Sequence, residues 1–413
     1  MTATDPEPAP RRRAAFGFVL VTLLLDTIGF GIIIPIIPGL IAELTGGDVV
    51  DAAAWGGWLM FSYAFMQFLC APVVGNLSDR FGRRPVLLVS LAALGLDYVL
   101  MALAPAVGWL FLGRVLAGMA GSSGTTAQAY VADVTPAADR ARAFGLVSAA
   151  WGFGFVIGPV LGGLLGELGP RVPFWVAAGL AGTNFLYGLF VLPESLPRER
   201  RRPFALARAN PLGALRRFRH VPTVLPVVAV YFLYMVGHDT NPAIWTYATM
   251  DRFAWGPREV GLSLGLVGVV SVIVMAGLVR PLIDRLGEGR TVVFGMSLMA
   301  AGFAGFALAG NQWVMLAMIV PYCLGAVASP ALRALGANRV GDDEQGALQG
   351  VYASTASLSA IVSPPVMTAV FAFFASSDAP VPFPGAPFLL AAVLTALGLG
   401  AFRRTVALRT ATA

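Results

Sequence analysis

Short polar stretches break this chain at regular intervals, and between them run apolar segments of about 20 residues, the length a helix needs to cross hydrocarbon. Six such spans are predicted in the first half, at 14–39, 54–75, 85–104, 108–133, 142–167 and 174–192. Six more follow at 223–249, 258–280, 290–309, 312–333, 345–372 and 386–402. Pro105, Pro136, Pro170 and Pro173 punctuate the turns. The pattern predicts an all-α integral membrane protein of twelve transmembrane helices. Its expected parts are an N-terminal tail (1–13), a six-helix bundle (14–192), a linker (193–222), a second six-helix bundle (223–402) and a C-terminal tail (403–413).

The polar stretch GNLSDRFGRRPV, residues 75–86, separates the second and third spans. It predicts a short charged loop from Asn76 to Arg84, with Pro85 in the first turn of the next helix, where a missing N–H costs nothing. Asp79, Arg80 and Gly82 recur 205 positions later as Asp284, Arg285 and Gly287, and Gly145 and Pro159 meet Gly350 and Pro364 at the same offset. Three separated places keeping one offset argue for two homologous halves. Duplicated halves with a site at their interface are a transporter architecture.

Composition narrows the class further. With 57% hydrophobic and 12% charged residues, the chain has too little polar surface for a water-soluble domain. Its net charge of +6 would suit nucleic acid, but the placement of the arginines argues otherwise. All 28 basic residues are Arg; Arg171, Arg252 and Arg258 fall on one side, Arg114 lies within a span, and the remaining 24 fall on the other side. The positive-inside rule then places both termini in the cytoplasm. Residues 193–222 carry eight arginines, which suit either anionic lipid or, the plainer reading, a linker with a short surface helix whose charge fixes topology. Cys70 and Cys323 fall inside apolar runs in different halves and read as small core residues, with neither a disulfide framework nor a metal site.

Charges inside spans are costly and usually face a bundle interior or an aqueous cavity. Asp26 lies about half-way along the first span, followed by Gly29, Gly31, Pro35 and Pro38, which loosen or bend the helix. Burial in hydrocarbon penalises a charged carboxylate, so Asp26 is a candidate to take up and release a proton; its structural alternative is a helix-packing hydrogen bond. Asp97 and Arg114 occupy the next two odd and even spans, and either Asp26 or Asp97 can pair with Arg114. For Asp97 a fixed salt bridge holding helices together is an equal alternative. The seventh span carries GHDTNPAIW, with His238, Asp239, Asn241 and Pro242; the first two are candidate titrating groups, although neighbours on a helix point in different directions. Gln67, Gln128, Tyr130, Trp151, Asn241 and Trp245, together with Asn184 and Tyr187, are candidates for an aromatic and polar substrate pocket.

These residues carry a resemblance to the major facilitator superfamily, in its drug:proton antiporter branch, and within it to the tetracycline-resistance (TetA-like) efflux proteins. GNLSDRFGRRPVLL resembles the family's loop motif, which implies gating roles for Asp79, Arg80, Arg83 and Arg84, with Asp284 and Arg285 in the repeated copy. GRVLAGMAG resembles the fourth-helix motif on Arg114 and Gly118, and GFVIGPVLGG the antiporter motif on Gly154, Gly158, Pro159, Gly162 and Gly163. LDTIGFGIIIPIIP and LDYVL place the family's membrane carboxylates on Asp26 and Asp97, and DEQGALQG resembles the start of helix 11. The chain departs from the best-known classes in two places. Its ninth span, FGMSLMAAGF, carries no acidic residue, with Ala300 at about that place, while His238 and Asp239 supply charge in the seventh.

The resemblance implies the major facilitator fold and a proton-coupled antiporter that exports amphipathic drugs, tetracycline-type compounds among them, by alternating access. Proton-coupled uptake of a nutrient is the rival within transport, and a non-transporting membrane receptor the rival outside it. The expected partners are a small-molecule drug, protons and membrane lipid, with no nucleic acid; the expected working unit is a monomer in the bacterial inner membrane. No enzymatic site and no cofactor are expected, and any magnesium ion travels as a chelate of the substrate.

Overall fold

The computed structural model describes residues 9–121, 123–204, 224–341 and 344–410. All regular structure among these residues is helical, and ten of the helices are long and apolar enough to cross a membrane. Chain contacts divide the protein into two units, Met1–Ile36 with Phe65–Asn210, and Ile37–Ala64 with Pro211–Ala413.

The first unit contains α1 (Ala9–Ile33), the larger part of α3 (Val49–Phe81), α4 (Arg83–Leu103), α5 (Val107–Ala120), α6 (Ser123–Val134), α7 (Arg140–Gly166) and α8 (Val172–Val191). The second contains α2 (Ile37–Thr45), the start of α3, α9 (Leu225–Phe253), α10 (Pro257–Gly277), α11 (Val279–Leu308), α12 (Gln312–Ala317), α13 (Ile319–Gly325), α14 (Ala328–Ala337), α15 (Gln345–Ala375) and α16 (Ala386–Thr410). In the first unit α1 packs on α7 and α8, and α4 on α8; in the second α9 packs on α15 and α16, and α11 on α16. The same pairing pattern therefore occurs in both units, as the 205-residue offset implies.

Several expected boundaries move. The first span was expected to run to 39, but α1 ends at Ile33 and the chain turns through 34–36 before α2 begins. Pro35 accounts for this, since a ring in a helix interior removes one hydrogen bond and collides with the preceding turn. The loop expected from Asn76 to Arg84 is nearly absent: α3 continues to Phe81 and α4 starts at Arg83. The break is Gly82 alone, whose φ of 106° is open to glycine and strained for other residues. Gly287 repeats it inside α11 with φ 75° and ψ 165°, at the same 205-residue offset. The single expected span 108–133 is two helices, α5 and α6, and α9 has the length of a span but carries the polar GHDTNP stretch. Of the linker, Arg198–Arg200 form one 3₁₀ turn; the expected surface helix falls largely on 205–223, outside the described residues.

Two helix ends share an unusual cap. The last carbonyls of a helix have no intrahelical donor. At the end of α4, Arg171 Nη1 donates to the carbonyls of Ala102 (2.9 Å) and Ala104 (3.0 Å). At the end of α11, Arg252 donates to those of Phe306 (2.7 Å), Ala307 (3.3 Å) and Ala309 (2.5 Å). Guanidinium forks suit this role because several donors lie in one plane and the positive charge opposes the negative helix end.

Candidate functional site

Around Gly82 the first unit gathers a charged network. Arg83 opens α4 and reaches back over the end of α3, pairing with Asp79 (2.7 Å) and hydrogen-bonding Ser78. It also reaches Asp133, at the end of α6, through Nε at 3.2 Å. Its backbone N–H donates to Glu194 Oε1 at 2.8 Å, and Glu194 Oε2 in turn lies 3.7 Å from Arg201. A Cβ at Gly82 would run into the Glu194 carboxylate. Arg83 is thus the hub, and Asp79 is one of the two carboxylates its side chain meets, with Glu194 held by its backbone N–H. Arg84 donates to the carbonyl of Leu189 (2.6 Å), while Arg80 turns over the Phe81 ring with its guanidinium carbon 5.0 Å from the centroid. Among the described residues the repeated loop has a sparser arrangement: Asp284 meets Arg280 at 3.6 Å with side chains 65% and 91% exposed, and Arg285 is exposed.

Within the helices the two acidic residues of this unit have different surroundings. Asp97 is fully buried and forms an ion pair with Arg114, which also donates to the Met101 sulfur at 3.0 Å. Of the two partners open to Arg114 on sequence grounds, the structure takes Asp97. Asp26 is half-buried on α1 and accepts a hydrogen bond from Asn184 Nδ2 of α8 at 3.3 Å. Asn184 is held in turn by Thr22, donating to its carbonyl at 3.2 Å and accepting from its hydroxyl at 3.1 Å. Among the described residues no guanidinium neutralises Asp26.

The glycines of α7 face α1. A Cβ at Gly158 would sit 2.8 Å from Gly31 Cα, and one at Gly31 would sit 2.8 Å from Pro159 Cδ, so the two backbones touch. Gly154 meets Thr27 and Gly162 meets Ile32 on the same face, and Gly163 is buried beside them. In the second unit, His238 Nδ1 lies 3.4 Å from Asp239 Oδ1, and Asp239 Oδ2 accepts from Ser359 of α15 at 2.7 Å.

A sequence profile described as Major Facilitator Superfamily matches residues 19–364 and 228–411. The chain belongs to the Major Facilitator Superfamily. Among superfamily relatives it is 40% identical to the tetracycline resistance protein, class C, of Escherichia coli, over 94% of this chain and 96% of that one. It is 36% identical to the class G protein of Vibrio anguillarum, over 96% and 98%. The crystal structure of the human organic anion transporter MFSD10 (TETRAN) shares the fold with a TM-score of 0.69 at 22% identity, covering 96% of this chain and 100% of that one.

For a superfamily transporter, the expected pocket residues divide by exposure. Tyr130 is fully buried in a core cluster with Phe18, Val19 and Leu87, its hydroxyl donating to the Pro193 carbonyl at 3.0 Å. Trp245 is fully buried too, donating to Ser263 Oγ at 2.9 Å and packing edge-on against Phe306. Both make packing contacts in this structure. Asn241 is buried. Gln128 and Trp151 are exposed, and Gln67 donates to the Gly121 carbonyl at 3.1 Å. Asp133, Glu194 and Ser359 were missed on sequence, because a carboxylate between spans reads as a solvated charge and a serine within a span as ordinary helix packing.

Proposed function

We propose that this superfamily member is a proton-coupled antiporter that exports amphipathic drugs, tetracycline-type compounds among them, from the cytoplasm of a bacterium. In this reading twelve helices in two six-helix halves, 14–192 and 223–402, carry the substrate by alternating access, with both termini and the 193–222 linker cytoplasmic and a monomer as the working unit. Asp79, Arg83 and Arg84, with Arg80 beside them, act in gating; Asp284 and Arg285 contribute less. Gln67, Gln128, Tyr130, Trp151, Asn241 and Trp245 remain the pocket candidates.

The observation that carries the reading is the contrast between Asp26 and Asp97. Asp97 has its permanent cation in Arg114 and serves as a strut. Among the described residues Asp26 has an amide for its side-chain partner, so binding a proton changes its charge without breaking an ion pair. A carboxylate is expensive to bury when charged and far cheaper when protonated, so the proton state of Asp26 biases which conformation closes around it. Drug and proton then need only favour opposite states for their fluxes to be linked reciprocally. Asp239 and His238 act as helpers. A magnesium ion belongs to this reading only as a chelate of the substrate.

Proteoliposomes with an imposed pH gradient test the reading. Asp26→Asn should abolish gradient-driven accumulation of tetracyclines while leaving binding and exchange of labelled for unlabelled drug intact, because an amide neither takes nor gives a proton. Wild-type coupling in that variant would overturn the assignment.

A further inference from the structure

The second unit contains a polar cluster that the first does not match. His238 and Asp239 lie on α9, which packs directly on α15 and α16. The His238 ring lies near-parallel to Tyr234 of its own helix, with centroids 6.3 Å apart, and to Tyr322 of α13 at 6.4 Å, with interplanar angles of 25° and 23°. Both tyrosines are buried, whereas the His238 side chain is 40% exposed and that of Asp239 16%. The imidazole has Nδ1 beside Asp239 Oδ1.

Ser359 completes the arrangement from α15. Its Oγ lies 2.7 Å from Asp239 Oδ2 and 2.8 Å from the Ala356 carbonyl one turn back on the same helix, and the residue is fully buried. A hydroxyl has one proton to donate and lone pairs to accept with, so it can serve only one of these two acceptors at a time. With Asp239 ionised, the hydroxyl donates to Oδ2. With a proton bound at Oδ2, the new carboxyl O–H donates to Ser359 Oγ, and the hydroxyl proton rotates to the Ala356 carbonyl. No Ser359 bond breaks, the added proton comes from water, and every polar atom is satisfied in both states without moving a heavy atom.

We propose that Ser359 is a positioning residue for a second proton site at Asp239, its rotating hydroxyl letting that carboxylate exist with or without a proton at one fixed geometry. The proposal rests on the proton-antiport reading above, and it replaces the acidic residue absent from the ninth span by a pair shared between α9 and α15. The titratable groups that face Asp239 are His238 and Tyr234 from α9 and Tyr322 from α13. From α16 the neighbour at this level is Thr395, beside Gly237, and from α14 Arg333 stacks on Tyr352 instead.

The experiment records tetracycline and proton flux against pH in proteoliposomes of the full chain, with tetracycline binding measured separately. Ser359→Ala should move the pH midpoint of exchange by about one unit to the alkaline side, because the hydrogen bond to the charged carboxylate is the stronger of the two it loses. Binding at the wild-type optimum should change less than about twofold. Ser359→Thr, which keeps the hydroxyl, should restore the wild-type profile, which a packing role alone would not require. Adding Ser359→Ala to Asp239→Asn should change nothing further. A wild-type profile in Ser359→Ala beside an altered one in Asp239→Asn would overturn the role of the serine and leave the proton site standing. A wild-type profile and coupling in Asp239→Asn would instead remove the site itself.

Discussion

Arg83→Ala removes one guanidinium and, with it, the bonds to Ser78, Asp79 and Asp133. The Arg83 side chain is 12% exposed, while Asp79 and Asp133 are 39% and 28% exposed, so the abandoned carboxylates rehydrate and no buried charge is stranded. Each bond at such a half-wet rim is worth about 0.5–1 kcal/mol after screening, and three together come to about 2 kcal/mol. That is a ~30-fold shift in whichever conformational equilibrium the network biases, at about 1.4 kcal/mol per decade. It is too small to unfold a chain of this size but large enough to empty the state in which the network is formed. Asp133→Asn leaves an acceptor for Arg83 but removes the charge from one of the three bonds, and should shift the same equilibrium by no more than about threefold. The assay is hydrogen exchange at residues 79–84 and 194–202 in the purified protein, alongside drug transport by the same preparations. Asp133→Asn should have no added effect in the Arg83→Ala background, because the bond it weakens has already gone. Additive effects, or wild-type protection in Arg83→Ala, would refute the hub assignment; loss of expression in place of turnover would make the network purely structural.

Asp284→Asn should leave transport within about twofold of wild type, since its ion pair with Arg280 is solvent-exposed; damage equal to that of Asp79→Asn would refute the asymmetry between the loops. Gly158→Val should force α1 and α7 apart, because even a Cβ there meets Gly31 Cα at 2.8 Å, and raise proton leak in drug-free vesicles if this close contact seals the bundle; vesicles as tight as wild type would show that it does not. Arg114→Ala should cost about 3–5 kcal/mol by stranding the Asp97 carboxylate, read as loss of folded protein in detergent. Replacing both partners by leucine should recover most of that yield, and failure to recover it would show that the pair does more than hold α4 to α5.

Much of this was legible because the membrane imposes it. Spans bounded by proline and glycine came within two residues of the helices, as at α4, α7 and α8. The offset that links Asp79 to Asp284 also locates the two glycine breaks, since a positive φ leaves glycine in both copies. What stayed hidden lies where hydropathy and hydrogen bonding part company. The hydrophobic signal of α3 stops near residue 75, yet backbone bonding carries the helix on through NLSDRF to Phe81. The pairing of Asp97 with Arg114 was half-visible as two charges 17 residues apart in consecutive spans. Asp133 and Glu194, at 50 and 111 residues from Arg83, had no local signature, because only tertiary packing brings them to it.

The arginine caps bear on the protein's history. The helix ends they close, Leu103 and Leu308, are 205 residues apart and so descend from one ancestral position. Arg171 and Arg252 are only 81 apart, one arriving from the start of α8 and the other from the end of α9. A cap inherited through duplication would keep the offset of the end it closes. At least one of these two therefore arose after the halves had separated, drawing its donors from whichever neighbouring segment lay within reach.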